Sequence, residues 1–236
     1  MSKQLARPLA DRIAALADAP PPTEVKSMRQ SARDAAIDAL QSDKTHYTTR
    51  PGIVPLREWV STQIAAQYAL TVPVDGITIT CGATEAEFVS LKTLVPVGST
   101  VLYSGEAAVY QHLARYEPLL GITVTDAPND TVTAVYIGGV DDAAALLTMA
   151  VERDWWVIWS TQFASADIGV SQINGAAERT IIIGELEDKL PGWRIGWMAG
   201  SEQSAKLRAY KQSMTICSPS ISQWAAYGLV SANDDE

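Results

Sequence analysis

The chain has 236 residues, 47% of them hydrophobic and 19% charged, with a net charge of −9. That length and apolar share suffice for one large domain with a sizeable core. The acidic excess and the lack of any basic run argue against nucleic acid or an anionic membrane surface as partner, and no apolar run approaches membrane-spanning length. Cys81 and Cys217 lie far apart, with neither a disulfide framework nor zinc spacing. They read as packing residues of a protein in a reducing, cytoplasmic compartment.

The first 24 residues contain no unbroken apolar stretch of the kind a signal peptide needs. Residues 4–17 read as a short amphipathic helix with Leu5, Leu9, Ile13 and Leu16 in one stripe, and Pro20-Pro21-Pro22 ends it as a stiff spacer. The expected division is therefore an N-terminal arm over 1–22 and a main domain over 23–236. Thr23 is a good N-cap for a helix to about Leu40, with Val25, Met28, Ala32, Ala36 and Leu40 on one side. After the turn-rich loop His46–Gly52, Pro55 opens a helix over 56–69.

From there strands and helices alternate. Strands are expected at 77–80, 100–103, 122–125, 134–137, 155–159, 180–183 and 194–199. Helices are expected after Thr84, over 107–119, 141–152 and 202–211, and from about Ser218 to Val230. Glu85 and Glu87 fall in the first turn of the helix after Thr84, where the positive helix end favours acid. Trp155, Trp156 and Trp159 cannot all face one side of a strand, so both faces of that strand should be covered. The pattern predicts an α/β three-layer sandwich with a mostly parallel seven-stranded sheet, whose ligands belong at the carboxyl ends of the strands.

Several residues bear on chemistry. Gly82-Ala83-Thr84 at a helix start offers free N–H groups, a hydroxyl and a favourable dipole to a phosphate, or simply the backbone geometry of a strand-to-helix turn. Arg194, between Trp193 and Ile195 at the head of an apolar strand, needs an anion: an external phosphate or carboxylate, or an acidic neighbour among Glu185, Glu187 and Asp188. Those three acids lack ordered metal-ligand spacing and read as a solvated loop. His46 and His112 are the only histidines, and neither has a Ser or Cys partner that would make a nucleophilic triad.

Four ordered motifs, His46-Tyr47…Gly52…Leu56-Arg57, Ile79–Ala86, Leu190–Trp197 and Ser218–Gln223, together resemble the class I/II aminotransferases, fold type I pyridoxal-phosphate (PLP) enzymes. The resemblance covers about residues 24–230. It implies a large-domain sheet with its last strand antiparallel, and a homodimer or other protein association with sites near the subunit boundary. It also assigns a phosphate site to Gly82, Ala83, Thr84 and Arg194, with Tyr47 reaching the phosphate of a neighbouring subunit.

The departures from that family are as ordered as the matches. The Schiff-base lysine position, eight residues before the arginine, holds Leu186, which has no amine. The two serines of that motif fall on Ile183 and Glu185. The acid that holds the pyridinium proton falls on Ser160, and the tyrosine of the ring hydroxyl on Phe163. The Asn-Pro loop is replaced by Gly138–Asp142, and the ring-stacking aromatic falls on Ala108. The family's small C-terminal domain has no counterpart in these 236 residues. Lys189, three residues late, is the substitute amine to test. The resulting expectation is an aminotransferase-like pseudoenzyme, with no covalent cofactor and no catalytic residue, acting as a binding or accessory subunit. The alternatives are an enzyme holding PLP or another phosphate ligand without a covalent bond, and a transaminase using Lys189.

Overall fold

A computed structural model describes residues 28–139, 142–161, 169–200 and 203–232. The helix of residues 4–17, the Thr23 cap and the Pro20–Pro22 spacer lie outside the described residues. So do Phe163 and the middle of the 138–142 loop.

Seven strands form one sheet in the order β1-β7-β6-β5-β4-β2-β3. They are β1 Ile77–Thr80, β2 Thr100–Ser104, β3 Thr123–Thr125, β4 Val132–Ile137, β5 Trp156–Ser160, β6 Thr180–Glu185 and β7 Gly196–Ala199. Only β7 runs against the rest; it is inserted between β1 and β6 and pairs antiparallel with both. The antiparallel last strand implied by the resemblance is therefore present, and it sits inside the sheet.

The helices are α1 Gln30–Gln41, α2 Val54–Tyr68, α3 Gly82–Leu94, α4 Ala107–Ala114, α5 Tyr116–Leu120, α6 Ala143–Glu152, α7 Ser204–Thr215 and α8 Ser220–Ser231. They cover both faces of the sheet. One core joins α1, α2, α6 and α8 to Ile77, Ile79, Val157, Trp159 and Ile182. The other joins α3, α4, α5 and α7 to Val101, Tyr136, Ile158, Ile181 and Met198. Strand β5 shows the expected two-sided burial: Val157 and Trp159 enter one core, and Ile158 enters the other with Trp156 packed against it.

Local departures have local causes. Among described residues α1 begins at Gln30 and buries Ala32, Ala36 and Ala39, while Leu40 is exposed rather than in the expected stripe. Its alanines admit a close neighbour. An added Cβ on Gly228 of α8 would collide with Ala35 and lie 2.8 Å from the Ser31 carbonyl. The helix expected over 107–119 divides at Arg115 into α4 and α5. Pro55 opens α2 as expected, and Ala69, at φ 47°, closes it in the left-handed region.

Two of the four sequence motifs meet at one side chain. The Gln223 carboxamide accepts from the Ile53 N–H at 2.8 Å and donates to the Ser218 carbonyl at 2.8 Å and the Thr48 hydroxyl at 3.2 Å. This fastens the 46–53 loop to α8, just outside β1, where the Ile79 N–H donates to the Pro51 carbonyl.

Candidate functional site

The site builds from the turn between β1 and α3. Cys81 is the N-cap and supplies no side-chain cap, so the first N–H groups of α3 need other acceptors. Two carboxylates provide them. Glu85 reaches back to the Cys81 N–H at 2.6 Å, and Glu185, from the end of β6, accepts from the Ala83 N–H at 2.8 Å. Both place negative charge at the positive end of the helix.

Gly82 makes the next contact possible. Its φ is +76°, and an added Cβ would collide with the Arg194 guanidinium. The structure thus brings Gly82, Ala83 and Arg194 together, with Thr84 exposed on the same turn. Arg194 is not buried and not in the strand. It precedes β7 in a left-handed conformation, φ 55°, with its side chain 45% exposed. Its Nη1 donates to Glu187 at 3.0 Å. Glu187 is thus one of the acidic neighbours expected to serve it. Glu187 also accepts from the Gly192 N–H at 3.1 Å, and the Leu186 N–H donates to the Ile195 carbonyl at 2.9 Å. Glu185 and Glu187 are therefore built into a clasp, while Asp188 is exposed as expected of a solvated loop.

Leu186 is 5% exposed and belongs to the core with Trp59, Trp159 and Trp197. It also lines a cleft of about 420 Å³ with Trp59, Thr161, Glu185, Lys189 and Trp197. Lys189 is exposed there. Ser160 is fully buried, and its hydroxyl has no hydrogen-bond partner among the described residues. Ala108 is exposed on α4. Tyr47 is 71% exposed and is not drawn to the Gly82–Arg194 turn of its own chain.

Two polar clusters escaped the sequence reading. Behind the turn, Lys211 is fully buried, 3.8 Å from Glu85 and 3.0 Å from the Thr215 hydroxyl, which itself donates to Glu85 at 2.8 Å. This network ties α7 to the start of α3. Burial, and after it the Glu85 carboxylate, push the nearby Cys81 thiol above its ordinary value.

The second cluster lies under α3. Glu87 does not serve the helix end; it is fully buried and accepts from Tyr136 at 2.6 Å and Tyr116 at 2.9 Å, with His112 Nε2 at 2.7 Å. Burial raises its carboxyl pKa, but the bonds from His112, Tyr136 and Tyr116 outweigh burial and leave it below the ordinary value of 4.5. His112 is therefore a partner of a buried acid, not filler. Among the described residues no group of three or more His, Cys, Asp or Glu could hold a metal ion. Nor, among the described residues, is any helix long and apolar enough to cross a membrane.

No protein-family model matches the chain. It is 45% identical over 69 residues to a probable aspartate aminotransferase of Methanocaldococcus jannaschii, covering 29% of this chain and 18% of that one. It is 25% identical over 215 residues to the (5-formylfuran-3-yl)methyl phosphate transaminase of the same organism, covering 82% of this chain and 58% of that one. The aromatic aminotransferase of Pyrococcus horikoshii superposes with a TM-score of 0.78 at 20% identity, over 96% of this chain and 71% of that one. The chain has the fold of the class I/II aminotransferases. It spans 58% of the length of the M. jannaschii transaminase.

A phosphate-bearing cofactor meets an obstacle in these residues. The Ala83 N–H that would face its phosphate is held by the Glu185 carboxylate, and Arg194 is engaged by Glu187. Leu186 offers a buried hydrocarbon surface and no amine. As arranged, donors at this turn are already engaged by carboxylates of the chain itself.

Proposed function

We propose that this chain is an aminotransferase-like protein that has lost Schiff-base chemistry and serves as a non-catalytic binding or accessory subunit. The observation that carries the reading is Leu186: an apolar side chain, 5% exposed and packed against aromatic core residues, at the position the resemblance gives to the reactive lysine. Without an amine there is no internal aldimine, and Ser160 supplies no anion to a pyridinium nitrogen. Association with a second copy or another chain belongs to the same reading, supported by the exposure of Tyr47. So does a cytoplasmic location, supported by two free cysteines.

The second reading keeps an enzyme: a transaminase using Lys189, which is exposed and lines the same cleft as Leu186. The two separate in one experiment. The protein is mixed with PLP, reduced with borohydride and digested for peptide mass mapping. No stoichiometric pyridoxyl adduct is expected; a stoichiometric adduct on Lys189 would overturn the first reading in favour of the second.

A further inference from the structure

We propose that the phosphate seat of this fold is closed from within: Glu185 and Glu187 are its built-in anions, and the intact chain rejects phosphate monoesters there. The inference rests on reading Gly82–Thr84 and Arg194 as the remnant of that seat. It deepens that reading by saying what occupies the seat and what would reopen it.

A phosphate at a helix start is held by two things: backbone N–H groups at the positive helix end and a guanidinium alongside. Both are present, and the chain brings its own carboxylate to each. Glu185 leaves β6 at its carboxyl end and takes the Ala83 N–H at 2.8 Å. Two residues on, Glu187 takes Arg194 at 3.0 Å and the Gly192 N–H at 3.1 Å. A third carboxylate, Glu85, holds the Cys81 N–H. A dianion entering this turn would lose its donors to anions already bonded to them, and would meet the negative charge of those anions at close range. The apolar Leu186 between the two acids keeps the loop seated in the core, so both carboxylates are held in place rather than tethered loosely.

The same bonds do structural work. They clasp the 185–195 loop to the first turn of α3 without any external ligand. Removing the acids therefore has two linked effects: the clasp weakens, and the seat opens to an anion that replaces it.

The test uses inorganic phosphate and the full chain. In the Glu185→Ser, Glu187→Ser double variant, phosphate is expected to bind at least about tenfold more tightly than to the unsubstituted protein. It should raise the variant's melting temperature and leave that of the unsubstituted protein unchanged. Adding Arg194→Gln to the double variant should abolish the gain. Equal phosphate affinity in the two proteins, lost on Arg194→Gln in each, would show an open seat and overturn the proposal. A folded double variant that gains no affinity would overturn it too. Should the serine variant fail to fold, the Glu185→Gln, Glu187→Gln variant keeps the shape and removes the charge; a gain there supports the closed seat, and no gain sinks it. Failure of this proposal is distinct from failure of the functional reading, which stands or falls on a covalent adduct with the unsubstituted chain.

Discussion

Glu87 anchors a buried polar network under α3. It is a fully buried acid whose stabilising partners are His112, Tyr116 and Tyr136, with the Arg115 guanidinium 3.5 Å away. Its folded pKa lies below the ordinary value of 4.5, so the stability it contributes is present above that value and is lost as pH falls through the folded pKa. Glu87→Gln keeps the shape and removes the charge. It should cost about 1–3 kcal/mol at neutral pH. Its unfolding free energy should also depend less on pH below about 4.5 than that of the unsubstituted chain. Urea denaturation at a series of pH values checks this; parallel pH curves for the two proteins would place the carboxylate outside the balance.

The position of Glu87 was legible, though it was not read correctly. Residues two apart on a helix do not share a face, so Glu85 and Glu87 could not both serve the α3 terminus. Glu87 falls on the stripe of Ala83, Ser90, Leu91 and Leu94, all buried. A carboxylate on an apolar stripe signals a buried network. Arg194 was misplaced for a related reason. The apolar run after it suggested a strand from its first residue, but pairing begins only at Gly196, opposite Thr80 and Glu185.

At the scale of elements, the contact of α1 with α8 is set by small residues. Gly228 lies so close to Ser31 and Ala35 that no side chain fits between them. Replacing it with alanine adds about 1 kcal/mol of helix propensity. It also forces two helices apart, and overpacking of this kind costs about 1–3 kcal/mol. The steric term should win. Gly228→Ala is expected to be net destabilised in chemical denaturation, with faster amide exchange in α1; a stabilised variant would mean the helices can separate freely.

Strands were the easiest elements to read, because runs such as Ile77–Thr80 and Thr180–Ile183 are β-branched and bounded by turn residues. The sheet order was not legible from such runs, since which strand lies beside which depends on crossovers, not local pattern. The parts of the site split the same way. Gly82, Ala83 and Arg194 were identified from their motifs, and they do converge. The carboxylates that fill the turn were read as a solvated loop, because a side chain's choice between water and a helix end is a tertiary matter.

Across the whole molecule, the reactive stations implied by the resemblance sit on different elements: Leu186 beyond β6, Ser160 at the end of β5, Ala108 on α4. Restoring one leaves the others. Leu186→Lys is therefore expected to give no measurable transamination in an assay of keto-acid formation. It should also lose stability, because the new amine enters a core lined by Trp59, Trp159 and Trp197. Measurable turnover by that variant would show that the remaining stations suffice.

The insertion of β7 between β1 and β6 has a consequence for how the chain comes to exist. Synthesis delivers Ile77–Thr80 early, yet its hydrogen-bonding partner in the sheet is Gly196–Ala199. Strands β2 to β6 pair with one another without β1, which is joined to them only through β7. Its closure joins distant parts of the chain, a kind of contact that slows folding. In the folded chain the Pro51 carbonyl accepts from the Ile79 N–H and covers part of the other edge of β1.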